Sequence, residues 1–100
     1  MHAVVNHLPI KPDSDWSALT AKVDAFNAMI DHPDFHGLST IHARNDAAIF
    51  LVLFASPAAL DDISHNVAAA WFAENVRPFL AKPVSRSVGE IIAGTLSSET

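Results

Sequence analysis

The chain contains no cysteine, which removes disulfide frameworks, iron–sulfur clusters and thiolate zinc sites together. Its three glycines are too few for a loop that cradles phosphate. Lysine and arginine number six against eleven acidic residues, for a net charge of −5. Those cations are scattered and form no basic stripe, so nucleic acid is a poor partner. The longest apolar stretch, Ala47 to Ala55, falls far below the roughly 20 residues needed to cross a bilayer. No basic segment followed by a long apolar run opens the chain. No signal peptide or membrane is therefore expected, and the cytoplasm is the expected compartment.

What is present is apolar. Half of the 100 residues are hydrophobic and 17% are charged, a balance that excludes a disordered chain. A chain of this size buries only about 60–65% of its unfolded surface. The surplus points to an oligomer, a ligand pocket, or both.

Periodicity divides the chain into six elements of one domain, residues 1–100. His2 to Ile10 reads as a strand with Val4, Asn6 and Leu8 on one face and Ala3, Val5 and His7 on the other. Asp13 to Asp31 reads as a helix whose stripe is Trp16, Leu19, Val23, Phe26 and Ile30. Asp13, Ser14 and Asp15 are its N-cap candidates, and Pro33 lies beyond its end. A second strand, Leu38 to Ala43, and a turn at Arg44-Asn45-Asp46 lead to a third strand, Ala47 to Ala55, apolar on both faces.

Ser56-Pro57 starts the second helix, a hydroxyl cap with proline at the first helical position. Leu60, Ile63 and Val67 continue a stripe that then blurs, because Ala68 through Phe72 surround the helix with apolar residues. A broken helix is expected, with Asn66 capping its second piece before Pro78, and the break beside a pocket. Val84 to Ala93 is the last strand, and 95–100 is expected to be a frayed tail.

Strand, helix, strand, strand, helix, strand is the split βαβ order: an α+β, ferredoxin-like βαββαβ subunit. It predicts a four-stranded antiparallel sheet with two helices on one face and strands one and three at the centre. The other face then exposes apolar side chains. Burying about 800 Å² at roughly 25 cal/mol per Å² yields about 20 kcal/mol gross, before association costs. A homodimer through sheet faces is expected; long charged side chains screening the face are the alternative.

The element order, the chain size, Asn6-His7-Leu8 on the first strand and the run Ala70-Trp71-Phe72-Ala73-Glu74-Asn75 in the late helix carry a resemblance. The chain resembles the antibiotic-biosynthesis-monooxygenase-like proteins of the dimeric α+β barrel superfamily over nearly its whole length. The resemblance implies sheets packed face to face in a dimer and a pocket between each subunit's helices and its own sheet. It also implies either oxygenation of quinols or aromatic polyketides without a cofactor, haem degradation, or no activity.

Asn6 matches a first-strand asparagine that several such enzymes place in the pocket. The haem-degrading branch carries a tryptophan and then a histidine on the second helix. Here His65 precedes Trp71, and the matching positions fall near Ile63 and Ala73. The polyketide-oxidising branch has a pocket tyrosine, and this chain has none.

The candidate catalytic residues are accordingly His65 and Asn6. The His65 imidazole would take a phenolic proton; alternatively it is a surface residue paired with Asp61. Asn6 holds a substrate oxygen or, equally, satisfies backbone groups. Trp71, Phe72, Phe26 and Arg86 are the candidate ligand-binding residues, suited to a small aromatic or apolar molecule. One of Trp71 and Phe72 is expected in the core and the other at the pocket wall or in a dimer contact. Arg77 and Arg86 are the cations placed to meet a substrate anion, although an ion pair of half-buried Arg86 with Glu74 or Glu90 is the preferred reading. No metal site is expected: Pro33 separates His32 from His36, and His7 and His42 lie on non-adjacent strands, about 10 Å apart. Two functional classes remain, a cofactor-independent monooxygenase and a non-catalytic ligand-binding or structural dimer module, with haem binding less favoured.

Overall fold

Apolar alternation in two strands decides the sheet. The computed structural model describes residues 1–94, and the tail expected over 95–100 lies outside them. β1 (His2–Leu8) pairs antiparallel with β3 (Ala48–Phe54) in the register Val4↔Val52, Asn6↔Phe50 and Leu8↔Ala48. β2 (Phe35–His42) flanks β3, and β4 (Ser85–Glu90) flanks β1, giving the order β2-β3-β1-β4 with every neighbour antiparallel. β1 and β3 are central, as their two apolar faces require.

Two helical segments cover one face. α1 (Trp16–Met29) buries Leu19, Val23 and Phe26. The second segment is α2 (Pro57–Ile63), a π-helical turn over Ser64–Ala68, and α3 (Ala69–Asn75), followed by a 3₁₀ turn at Arg77–Phe79. Leu8, Leu19, Phe50 and Val76 are the most deeply buried large side chains. They lie between the helices and the face carrying Val4, Asn6 and Leu8.

Several boundaries differ from the periodicity reading. β1 stops at Leu8, because Pro9 offers no N–H to the ladder; Ile10 makes only an isolated bridge to Leu80. α1 starts at Trp16 rather than Asp13, whose φ of 63° is incompatible with a helix. Asp15 is its cap, accepting from the Ala18 N–H at 3.1 Å. The helix ends at Met29, and extended Ile30 packs against the core. β2 begins three residues earlier than Leu38, at Phe35, whose ring meets those of Phe26 and Phe54. A bulge between Phe35 and Leu38 makes this entry, and Gly37 accommodates it at φ 106°. The Asn27 side chain fastens the bulge to α1, accepting from the Leu38 N–H at 2.8 Å and donating to the Leu38 carbonyl at 2.9 Å. β4 covers Ser85–Glu90 rather than 84–93, and every residue in it is exposed.

The second helical segment does break its regular winding, but without a cap. Ser56 caps its start as expected, accepting from the Ala59 N–H at 3.2 Å. Asn66 starts no new helix: it sits inside the π turn, and its amide donates to the Asp62 carboxylate one turn back. The winding changes because the Ala69 N–H bonds to the Ser64 carbonyl five residues back.

The opposite sheet face has no layer over it in the single chain. By register it carries Ala3 and Val5 from β1, Ile49, Leu51 and Leu53 from β3, and Ile41 from β2. Ile41 is 46% exposed. Ser39, Ser85, Ser87 and Gly89 flank this apolar centre on the two outer strands.

Candidate active site

A cavity of about 540 Å³ opens between the second helical segment and the sheet. Three features of the chain produce it. The π turn inserts an extra residue into the helix, and the lining residues that follow Ser64 include Ala68 and Ala69, whose methyls fill little of the space. β4 lies outside the helical layer, which leaves one side of the hollow open. The break expected beside a pocket is therefore its rim, with Ser64, His65, Ala68 and Ala69 all lining the hollow.

All six candidate site residues converge here: Asn6, Phe26, His65, Trp71, Phe72 and Arg86 line the cavity. β1 places Asn6 on the helix-facing side, directly opposite Phe50 and Arg86 on its two neighbours. Among the described residues, the Asn6 amide has no hydrogen-bonding partner and is not sealed from the hollow. His65 is exposed on the π turn. It does not pair with Asp61; the described histidine–aspartate contacts are His32–Asp62 at 3.9 Å and His42–Asp46 at 3.0 Å.

Phe26, Phe50, Phe54, Trp71 and Phe72 form the aromatic wall, and Phe35 backs it from the core. The Trp71 and Phe26 ring centroids lie 4.5 Å apart and tilted by 45°. Phe26 meets Phe35 edge-on at 5.9 Å, and Phe35 meets Phe54 at 5.8 Å. Trp71 and Phe72 do not divide into one core and one wall residue, contrary to expectation. Both are half-buried, both touch the core, and both line the cavity. The hollow wraps the helix corner between them, so directions about 100° apart meet the same space.

Arg86 also departs from expectation. It is exposed rather than half-buried, because β4 is an uncovered edge, and it forms no ion pair with Glu74 or Glu90. Arg77, at the start of the 3₁₀ turn, joins it in the lining.

The periodicity reading misses a second cleft of about 440 Å³ between α1 and β2. There Trp16, expected on the apolar stripe, stacks on His42 with centroids 3.6 Å apart and ring planes at 8°. The Thr40 hydroxyl nearby is buried without a partner. Only the strand register, absent from a residue-by-residue reading, brings His42 under the helix.

The haem-degrading arrangement does not fit this cavity. The position expected for its tryptophan holds Ile63, 4% exposed and packed in the core, and the one for its histidine holds Ala73, which has no donor. Among the described residues, no group of three or more His, Asp or Glu is arranged to hold a metal ion. No described helix is long and apolar enough to cross a membrane.

No family model matches the chain, and no curated protein matches it. Solved structures do. The Rv0793 protein from Mycobacterium tuberculosis superposes with a TM-score of 0.71 at 20% identity, over 93% of this chain and 96% of that one. A protein named as a candidate antibiotic biosynthesis monooxygenase from Nitrosomonas europaea gives a TM-score of 0.75 at 9% identity, over 93% and 100% of the two chains. A MhuD variant with two manganese protoporphyrin IX groups bound per active site gives 0.73 at 13% identity, over 95% and 98%. At these identities the likeness is one of fold. The chain has the ferredoxin-like α+β fold of the antibiotic-biosynthesis-monooxygenase-like proteins, and the resemblance drawn from its first strand and late helix holds at that level.

Proposed function

We propose that this protein is a cofactor-independent monooxygenase acting on a flat phenolic, quinol or polyketide-type substrate in the cavity between its helices and sheet. The observation that carries the reading is the convergence of an unpartnered amide, an imidazole and an aromatic wall on one apolar hollow. Its volume falls in the range of small-molecule sites. The ring of the substrate lies against Trp71 and Phe26, and the Asn6 amide donates to a substrate oxygen.

His65 removes the phenolic proton, leaving an electron-rich anion that dioxygen attacks. For a phenol with a free para position, one oxygen atom replaces the para hydrogen as a carbonyl and the other leaves as water. The substrate supplies all four electrons, so a phenol and dioxygen become a quinone and water with no external reductant.

The open sheet face supports a homodimer through Val5, Ile41, Ile49, Leu51 and Leu53, an apolar surface that a second copy would cover. The expected compartment is the cytoplasm.

One observation favours the non-catalytic binding module instead: no described side chain orients His65, as a catalytic base is usually oriented. Oxygen consumption with 1-naphthol and a panel of quinols separates the two. The monooxygenase predicts oxygen-dependent quinone formation that His65→Ala lowers by about 100-fold or more. Binding without oxygen uptake would leave the module reading. Sedimentation of the same preparation should give twice the mass of the 10.7 kDa chain.

A further inference from the structure

We infer that the ligand of this cavity carries a carboxylate, received by Arg77 and Arg86 at the open side of the hollow. This rests on the cavity being a site for a flat apolar ligand and names the polar end such a ligand must have.

The charge distribution carries the inference. The chain is acidic, with eleven Asp and Glu against six Lys and Arg. The cavity inverts that ratio: two guanidiniums and one imidazole line it, and no carboxylate does. Neither arginine finds a counter-ion within the described chain. The carboxylates nearest in sequence, Glu74 before Arg77 and Glu90 after Arg86, form no ion pair with them. Two guanidiniums on the lining of one hollow, with no carboxylate beside them, leave a positive field that an anionic ligand neutralises.

The geometry selects a carboxylate at the end of a flat molecule. Arg86 is the register partner of Asn6 across the β1–β4 pair, so a guanidinium fork and an amide N–H₂ adjoin on one patch of the sheet. Arginine's planar fork matches the two oxygens of a carboxylate. Both arginines are exposed, so they receive the acid at the wet rim without the cost of burying a charge. The aromatic wall of Trp71 and Phe26 lies further in. A ligand with an apolar ring and one acidic substituent spans the two regions in a single orientation. That orientation also fixes which ring position faces Asn6 and His65.

Calorimetric titration of the 100-residue chain with 1-naphthol and with 1-hydroxy-2-naphthoate, which differ by one carboxylate, tests the inference. The acid is expected to bind about tenfold tighter or more at low ionic strength, with the advantage shrinking as salt is raised. Arg77→Gln with Arg86→Gln should erase the preference, bringing the affinity for the acid down to that of the same variant for 1-naphthol. Equal affinities for the two probes, or a preference that survives both substitutions, would overturn the carboxylate inference and leave the apolar cavity reading intact. Failure of both probes to bind would overturn the cavity reading and this inference with it. Inorganic phosphate is the third arm: displacement of the acid by phosphate at equal concentration would show an anion site indifferent to the ring, and the inference would fall.

Discussion

The two helical segments lie on the same sheet face and meet it in opposite ways. α1 is regular, capped by Asp15, and sends Leu19, Val23 and Phe26 into the core. The second segment buries Ala59, Leu60 and Ile63 in its first piece and then, from Ser64 to Asn75, buries no residue. The difference begins in side-chain size and winding. Steps of three and four residues keep the α1 stripe aligned on the sheet. After Val67 the second segment offers alanines and two adjacent aromatics, on a helix whose winding has slipped by one residue. Close packing results in one case and a hollow in the other, on a shared scaffold. The domain thus keeps most of the helical lining of its candidate site on the stretch that contributes no buried residue, with Phe26 of α1 serving both core and site.

The largest expected test of this contrast is a pair of truncations. Leu19 is 1% exposed, so Leu19→Ala should cost about 2–5 kcal/mol in urea unfolding. Trp71→Ala removes a larger side chain from a wall that is already partly wet, and should cost only about 1–2 kcal/mol. Its larger effect should appear in naphthol titration as an affinity loss of about tenfold or more. Equal stability losses would show that the second segment is core after all.

Winding itself can be tested next. Deleting Asn66 removes the extra residue that the π turn absorbs and returns Ser64–Ala69 to α-helical hydrogen bonding, which narrows the turn at the rim of the hollow. Naphthol affinity should fall about tenfold, while the thermal midpoint moves by no more than about 4–8 °C. Unchanged affinity would mean that the turn does not shape the hollow.

The smallest effects concern the caps. Asp15→Ala and Ser56→Ala should each cost about 1 kcal/mol. Ser56→Ala should be the costlier, because the Ser56 hydroxyl also donates to the Asp34 carboxylate at 3.2 Å. Paired chemical denaturation curves check the order.

Much of this was legible from residue spacing alone. Alternation around Val4, Asn6 and Leu8 marks the face that Asn6 occupies, and the doubly apolar run from Ala47 to Ala55 marks the central strand. Ser56-Pro57 marked a helix start to the residue, since a hydroxyl cap and proline at N1 are local chemistry. The blurred pattern near Trp71 signalled a break without revealing its kind: a π turn depends on which carbonyl Ala69 bonds, and side-chain spacing does not encode that choice. Asn66 was assigned a cap on residue type, yet Asp62 one turn earlier competes for its amide. The expected Arg86 ion pair fails for a tertiary reason: β4 lies outside the helical layer, so its guanidinium reaches the wet rim of the hollow and no carboxylate of the described chain. The Trp16–His42 stack depends on contacts between elements distant in sequence.

The hold of Asn27 on Leu38 reaches beyond the bulge that it fixes. β2 is an outer strand, and a bare outer strand invites a foreign peptide to extend the ladder. With its N–H and carbonyl both engaged by one side-chain amide, Leu38 has nothing to offer such an intruder midway along that margin. Any annealing of an extra strand is thereby steered to the far margin, where Arg86 and Glu90 stand guard with opposite charges.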